Sequence, residues 1–192
     1  PEDNAKILEY QWNEVLIPYW REFVAFAKTH GVDKIGLEMH QAFCVYNTET
    51  LLRLREAVGP EIGANLDPSH LIWQGMDPIA VIRKLGSEAI FHVHAKDTKI
   101  DAANTAVNGV LDAKSYADEI HRSWIFRSIG YGHDELFWKD FVSNLRLVGY
   151  DYVLSIEHED SLLSKNEGLV KAVDVLKRAI PFEDKMTSMR WI

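Results

Sequence analysis

The chain has 192 residues, of which 47% are hydrophobic and 26% charged, enough apolar material for a packed core and too much for a disordered or fibrous protein. Its 29 acidic against 21 basic residues give a net charge of −8, the wrong sign for a general binder of phosphate backbones, so nucleic acid is not an expected partner. Cys44, the one cysteine, rules out an intrachain disulfide or a cysteine-based zinc cluster and suits a reducing, cytoplasmic setting, and no apolar run nears the roughly 20 residues of a membrane span.

The length suits one domain, residues 1–192. Helical patterns cover Ala5 to Val15 and Tyr19 to Thr29, with Pro18 placed to open the second and Gly31 to close it. The chain opens at Pro1 inside the first pattern, and no basic-then-apolar leader precedes it, so a piece of a longer protein or a removed segment is expected. Lys34 to Glu38 reads as a strand. Thr48 is placed to cap a helix through Val58, before Gly59-Pro60. A second strand runs Ile62 to Asp67, and Asp77-Pro78 opens a helix to Leu85. Ala89 to His94 forms the third strand. The polar and aromatic stretch from Ala95 to His133 has no clean period beyond a short helix near Ser115 to Ile120. Asp134 caps an amphipathic helix carrying Phe137, Phe141, Leu145 and Val148 on one stripe, a core pattern that includes Trp138. Asp151 to Glu157 is the fourth strand, and Glu167 to Ala179 the last helix. Short apolar runs alternating with amphipathic ones predict βα units around a parallel sheet.

Each strand ends on a side chain able to hold a metal: Glu38, Asp67, His94 and Glu157. Side chains alternate faces along a strand. Two positions back from those four stand Gly36, Asn65, His92 and Ser155; between them lie Leu37, Leu66, Val93 and Ile156. One face is therefore aliphatic and fit to lie under helices, and the other is small or polar and finishes on a donor, as in a barrel with chemistry at the carboxyl ends of its strands. A single carboxylate at a strand end is ordinarily a solvated loop residue. Four strands repeating the pattern point instead to a site for Mn, Mg or Co, with Zn admitted by the imidazole.

The strings Gly36-Leu37-Glu38-Met39-His40, Asn65-Leu66-Asp67-Pro68-Ser69-His70, Phe91-His92-Val93-His94-Ala95-Lys96-Asp97 and Leu154-Ser155-Ile156-Glu157-His158-Glu159-Asp160 resemble the xylose isomerase-like TIM-barrel superfamily. Within it the sugar phosphate isomerase and epimerase group, which is similar to ketose 3-epimerases and inosose dehydratase, is the best match. The resemblance covers nearly the whole chain. It implies that Glu38, Asp67, His94 and Glu157 ligate one divalent ion. It further implies that Glu38 and Glu157 act as acid and base on a sugar through an enediolate, and that His70 contacts substrate. His94 is nearer the strand end than His92 and takes the ligand role; His92, a layer deeper, is expected to pack or to support it. Asp97 and Lys96 lie where they could meet substrate or orient a ligand, Lys96 equally as a solvated loop residue. The stretch bearing Trp124, Phe126, Arg127, Tyr131 and His133 either covers the site, with Arg127 clamping substrate, or is a surface loop with packed aromatics. His158, Glu159 and Asp160 are expected on a solvated rim.

A (β/α)8 TIM barrel has eight units and roughly 250 residues. Here about four units are present, apparently the second half. The expected partners are therefore a sugar substrate and either a missing amino-terminal half or further copies of the chain covering the open edges. The leading expectation is a metal-dependent sugar isomerase or epimerase, with a polyol-ketone dehydratase as the variant that expels a β-hydroxyl. An endonuclease IV-type enzyme would need more histidines and a basic groove. A non-catalytic truncated module would retain the ligands without the full pocket, and activity only in a longer protein would mark it.

Overall fold

The structure, a computed structural model, describes residues 2–183. Pro1 and residues 184–192, the two ends of the expected domain 1–192, lie outside them. Helix α1 (Glu2–Tyr10) continues through a π-helical stretch, Gln11–Leu16, into α2 (Ile17–Thr29). The expected break at Pro18 does not occur. The proline follows directly on the π-helical turn, whose wider winding lets the helix continue past it, and that turn seats Trp12 in the core.

Four parallel strands follow. They are β1 (Ile35–Glu38), β2 (Ile62–Leu66), β3 (Ile90–Ala95) and, after an insertion, β6 (Leu154–Ile156), in the order β1-β2-β3-β6. Helix α3 (Thr48–Val58) joins β1 to β2. Its cap is Asn47, not the expected Thr48: the Asn47 side chain accepts from Thr50 N while Thr50 closes back on the Asn47 backbone N–H. Between β2 and β3 lie α4 (Pro68–Trp73), which was not expected, and α5 (Pro78–Leu85), which was. The amphipathic stripe forms α7 (Glu135–Val148), and α8 (Lys165–Ala179) begins two residues earlier than expected because Ser164 caps it.

The aliphatic strand face is buried under these helices as alternation requires. Ile62, Ala64 and Leu66 of β2 and Val93 and Ala95 of β3 are buried, packed with Leu51, Leu54, Ile82, Trp138, Phe141 and Leu176. One irregularity resets the alternation. Ala64 pairs with Ile90 but Asn65 with His92, so Phe91 is skipped and its ring lies where a Gly63 side chain would be. Beyond it the alternation is regular, and His92 and His94, two apart, share the inner face.

The stretch after His94 is ordered, contrary to its sequence pattern. Strand β4 (Asp97–Ile100) pairs antiparallel with β5 (Trp124–Arg127), with α6 (Ala102–Asn108) between them; residues 115–120 form turns rather than a helix. Trp73 and Trp124 stack at 4.6 Å and, with Phe126, make a second small core. Buried Arg122 lies over Trp124 and Tyr116 and donates to the Trp124 carbonyl. Among the described residues, no helix is long and apolar enough to cross a membrane.

Candidate metal centre

The four strand-end donors converge. Glu38 ends β1, Asp67 follows β2 as the N-cap of α4, His94 is on β3 and Glu157 follows β6; one ligand atom from each lies within 4.8 Å of all the others. His94 Nδ1 is 2.8 Å from Glu157 Oε2, 3.3 Å from Glu38 Oε2 and 3.8 Å from Asp67 Oδ2. Asp67 divides its oxygens: Oδ1 accepts the backbone N–H of Ser69 at 2.8 Å, capping α4, and Oδ2 faces the cluster. That cap also brings in His70, buried on α4, whose Nε2 is 3.0 Å from Glu38 Oε1 and 3.6 Å from Asp67 Oδ2. His92 supports from below, with Nε2 2.7 Å from Ser155 Oγ.

A cavity of about 350 Å³ opens on the cluster, lined by Glu38, His70 and Glu157 together with His40, Lys96, Tyr116, Phe126 and Glu159. For three of these, Lys96, Glu159 and His40, the structure goes beyond the sequence reading, and Tyr116 was not singled out at all. Lys96 is not a solvated loop lysine: it is buried, its Nζ lying 2.5 Å from Glu159 Oε2, 3.5 Å from Glu157 Oε1 and 3.7 Å from Asp67 Oδ2, over the ring of Phe126. Glu159, exposed as expected of a rim residue, is also the partner of Lys96. The His40 ring packs 4.3 Å from that of His70. A signal for all three was present. Counting two onward from Glu38, His94 and Glu157 gives His40, Lys96 and Glu159 on the same inner face.

Two expected substrate contacts are spent elsewhere. Asp97 is fully buried, and its oxygens accept from the backbone N–H groups of Thr98, Gly130, Gly132 and His133 and from His133 Nδ1 at 2.7 Å. It ties down the 130–133 turn and has no lone pair to offer a ligand. Arg127 donates from Nε to Asp160 at 3.1 Å and lies over Tyr131, away from the cavity. Asp160 is likewise buried, accepting from Ser128 N and Leu162 N. Of the aromatic stretch, Phe126 reaches the cavity, Trp124 packs behind it, and Tyr131 and His133 turn away.

Residues 4–179 match the family model described as xylose isomerase-like TIM barrel. The chain belongs to that family. It is 48% identical over 174 residues to the uncharacterized protein YfiH of Bacillus subtilis (strain 168), a match covering 91% of this chain and 55% of YfiH. A xylose isomerase domain protein from Planctomyces limnophilus superposes with a TM-score of 0.62 at 24% identity, over 85% of this chain and 50% of that one. The crystal structure of an IolI protein with a zinc atom bound gives a TM-score of 0.61 at 24% identity, over 85% and 56%. The chain thus spans about half the length of the relatives it matches, and its fold is part of a xylose isomerase-like barrel.

The donor set of this xylose isomerase-like chain fits a divalent cation on its own chemistry. Asp67 Oδ2, His94 Nδ1 and Glu157 Oε2 are buried with no hydrogen-bond partner, although each faces the others. Buried polar atoms are rarely left so, and three at one point mark a place where a cation would supply the missing partner. Three carboxylates and one imidazole form a hard, oxygen-rich set. The surrounding charges agree. The imidazoles of His70 and His94 beside it hold Glu38 far below the usual carboxylate range. Asp67 and Glu38, with the charge of Glu157, push His94 up to about 10 against the desolvation that opposes it. Burial works against the charge of Lys96, yet Asp67, Glu159 and Glu157 hold it above its ordinary value.

Proposed function

We propose that the protein is a divalent-metal-dependent isomerase or epimerase of a sugar or sugar phosphate, with Glu38 and Glu157 moving the proton. The observation that carries this reading is the set of four donors within 4.8 Å, three of them with buried, unpartnered atoms. The zinc in the IolI structure of the same fold supports it. A cation held by Glu38, Asp67, His94 and Glu157 supplies Lewis acidity, which eases ionisation of a C–H beside a ketone. The protein's part is positional. Glu38 and Glu157 come from opposite ends of the four-strand sheet, so one carboxylate is placed to take a proton from one side of a bound sugar and the other to return it. His70 lines the cavity against Glu38 and is placed to hold a sugar hydroxyl. Phe126 and Tyr116, stacked at 5.9 Å, offer an apolar wall for a sugar face.

The pocket as described is half of a barrel mouth. The reading therefore extends to assembly: a further half-sheet, from an amino-terminal segment or a second copy, completes it. The test is deuterium wash-in. Protein loaded with Mn²⁺, Co²⁺ or Zn²⁺ is incubated in D₂O with a panel of ketoses, ketose phosphates and inososes, and the proton next to the carbonyl is followed by NMR. Exchange that falls about 10²- to 10⁴-fold in Glu157→Gln is the expected result. Loss of water in place of exchange would make the enzyme a dehydratase. Neither exchange nor elimination, together with no metal uptake by calorimetry, would overturn the reading.

A further inference from the structure

Asn65 stands two residues before Asp67 on the inner face of β2, level with Glu38 on one neighbouring strand and His92 on the other. Its amide lies against the far side of the His94 ring, Nδ2 being 3.2 Å from His94 Nε2. The other end of the amide, Oδ1, is buried and has no partner. The near side of the ring is fixed, since Nδ1 faces the oxygens of Glu157, Glu38 and Asp67. A ring that ligates through Nδ1 keeps its remaining proton on Nε2, and a doubly protonated ring also bears one there. In either form Nε2 needs an acceptor, which an amide nitrogen cannot be. The two ends of an amide have the same shape, so a half-turn about Cβ–Cγ presents Oδ1 to the ring with the packing unchanged.

We infer that Asn65 is a positioning residue of the metal centre: its Oδ1 accepts the Nε2 proton of His94 and so directs the Nδ1 lone pair into the cluster. This rests on the metal-binding reading above. Ligating histidines generally owe their tautomer to such an acceptor, and losing it weakens metal binding about 10- to 100-fold.

The test is calorimetric titration of Co²⁺ and Zn²⁺ into the wild-type chain, Asn65→Leu and Asn65→Asp. ¹⁵N NMR of the Zn²⁺-loaded forms reports which nitrogen of His94 carries the proton. Leucine matches asparagine in shape and lacks an acceptor; aspartate keeps one. The expected result is a 10- to 100-fold weakening in Asn65→Leu, binding at least as tight as wild type in Asn65→Asp, and an exchange-protected Nε2 proton on His94 that Asn65→Leu loses. Unchanged binding in Asn65→Leu, or equal weakening in both variants, overturns the role of Asn65 and leaves the metal centre standing. A wild-type chain that takes up neither ion overturns both.

Discussion

Lys96 holds one positive charge among Asp67, Glu157 and Glu159, and two of these face where a cation would sit. Lysine and metal therefore compete for the same negative charge. Lys96→Met is expected to destabilise the metal-free protein by about 3 kcal/mol, since it takes a positive charge from beside buried Asp67 and half-buried Glu157, and at the same time to tighten metal binding; urea denaturation with and without Co²⁺ reads both. His94 gives a second expectation. Its folded value of about 10 stands above the ordinary 6.5, so the stability it lends the metal-free protein is complete below about pH 6.5 and is lost as the pH rises through about 10. A melting temperature that falls across that window, and falls less in His94→Gln, is the outcome expected. Metal entering at pH 7 must displace that proton, so titrations in buffers of different ionisation enthalpy should report about one proton released. At this scale the sequence was most informative about the four donors that converge. Residues whose role depends on partners far along the chain, such as Asp97 with Gly130 to His133, gave no local sign of being fully engaged.

At the scale of elements, the four parallel strands were legible because burial on one face and chemistry on the other leaves a two-residue rhythm. The β4–α6–β5 insertion was not. Its strands have four residues each, and its order comes from packing Trp124 and Phe126 on Trp73, contacts that no period announces. Helix α4 was missed because Asp67 reads equally well as a strand-end donor and as a cap; one oxygen caps the helix and the other faces the cluster. The turn after β5 is the most tightly built piece of the insertion. A side chain on Gly132 would come within 2.4 Å of both Asp97 Oδ1 and the Thr98 carbonyl, and neither can move without breaking the hydrogen bonds that converge there. Gly132→Ala is expected to cost about 1–3 kcal/mol in chemical denaturation. Gly168→Ala on α8 should cost a similar amount, since its methyl would collide with the ring of His158.

At the scale of the molecule, β1 pairs only with β2 and β6 only with β3 among the described residues, so both outer strands carry backbone groups with no ladder partner. Such edges recruit other strands. Aromatic side chains of α2, Tyr19, Phe23 and Phe26, are exposed as well. The 192-residue chain alone is expected to self-associate at micromolar concentration, and light scattering that finds only monomer would contradict this. The count of four βα units foretold the half-barrel, because strand number is a property of the whole pattern; what lies against its open side is not written in these residues.

Asp67 ties two things together. One oxygen fastens the start of the short helix bearing His70, and its twin looks into the ligand cluster. Whatever tugs on the second oxygen therefore also bears on the anchorage of that helix, and changes that loosen α4 should be felt as weaker ion affinity. On the function proposed above, retuning the site for a new sugar is accordingly easier through the cavity wall, at Tyr116 or His40, than through the residues that follow β2.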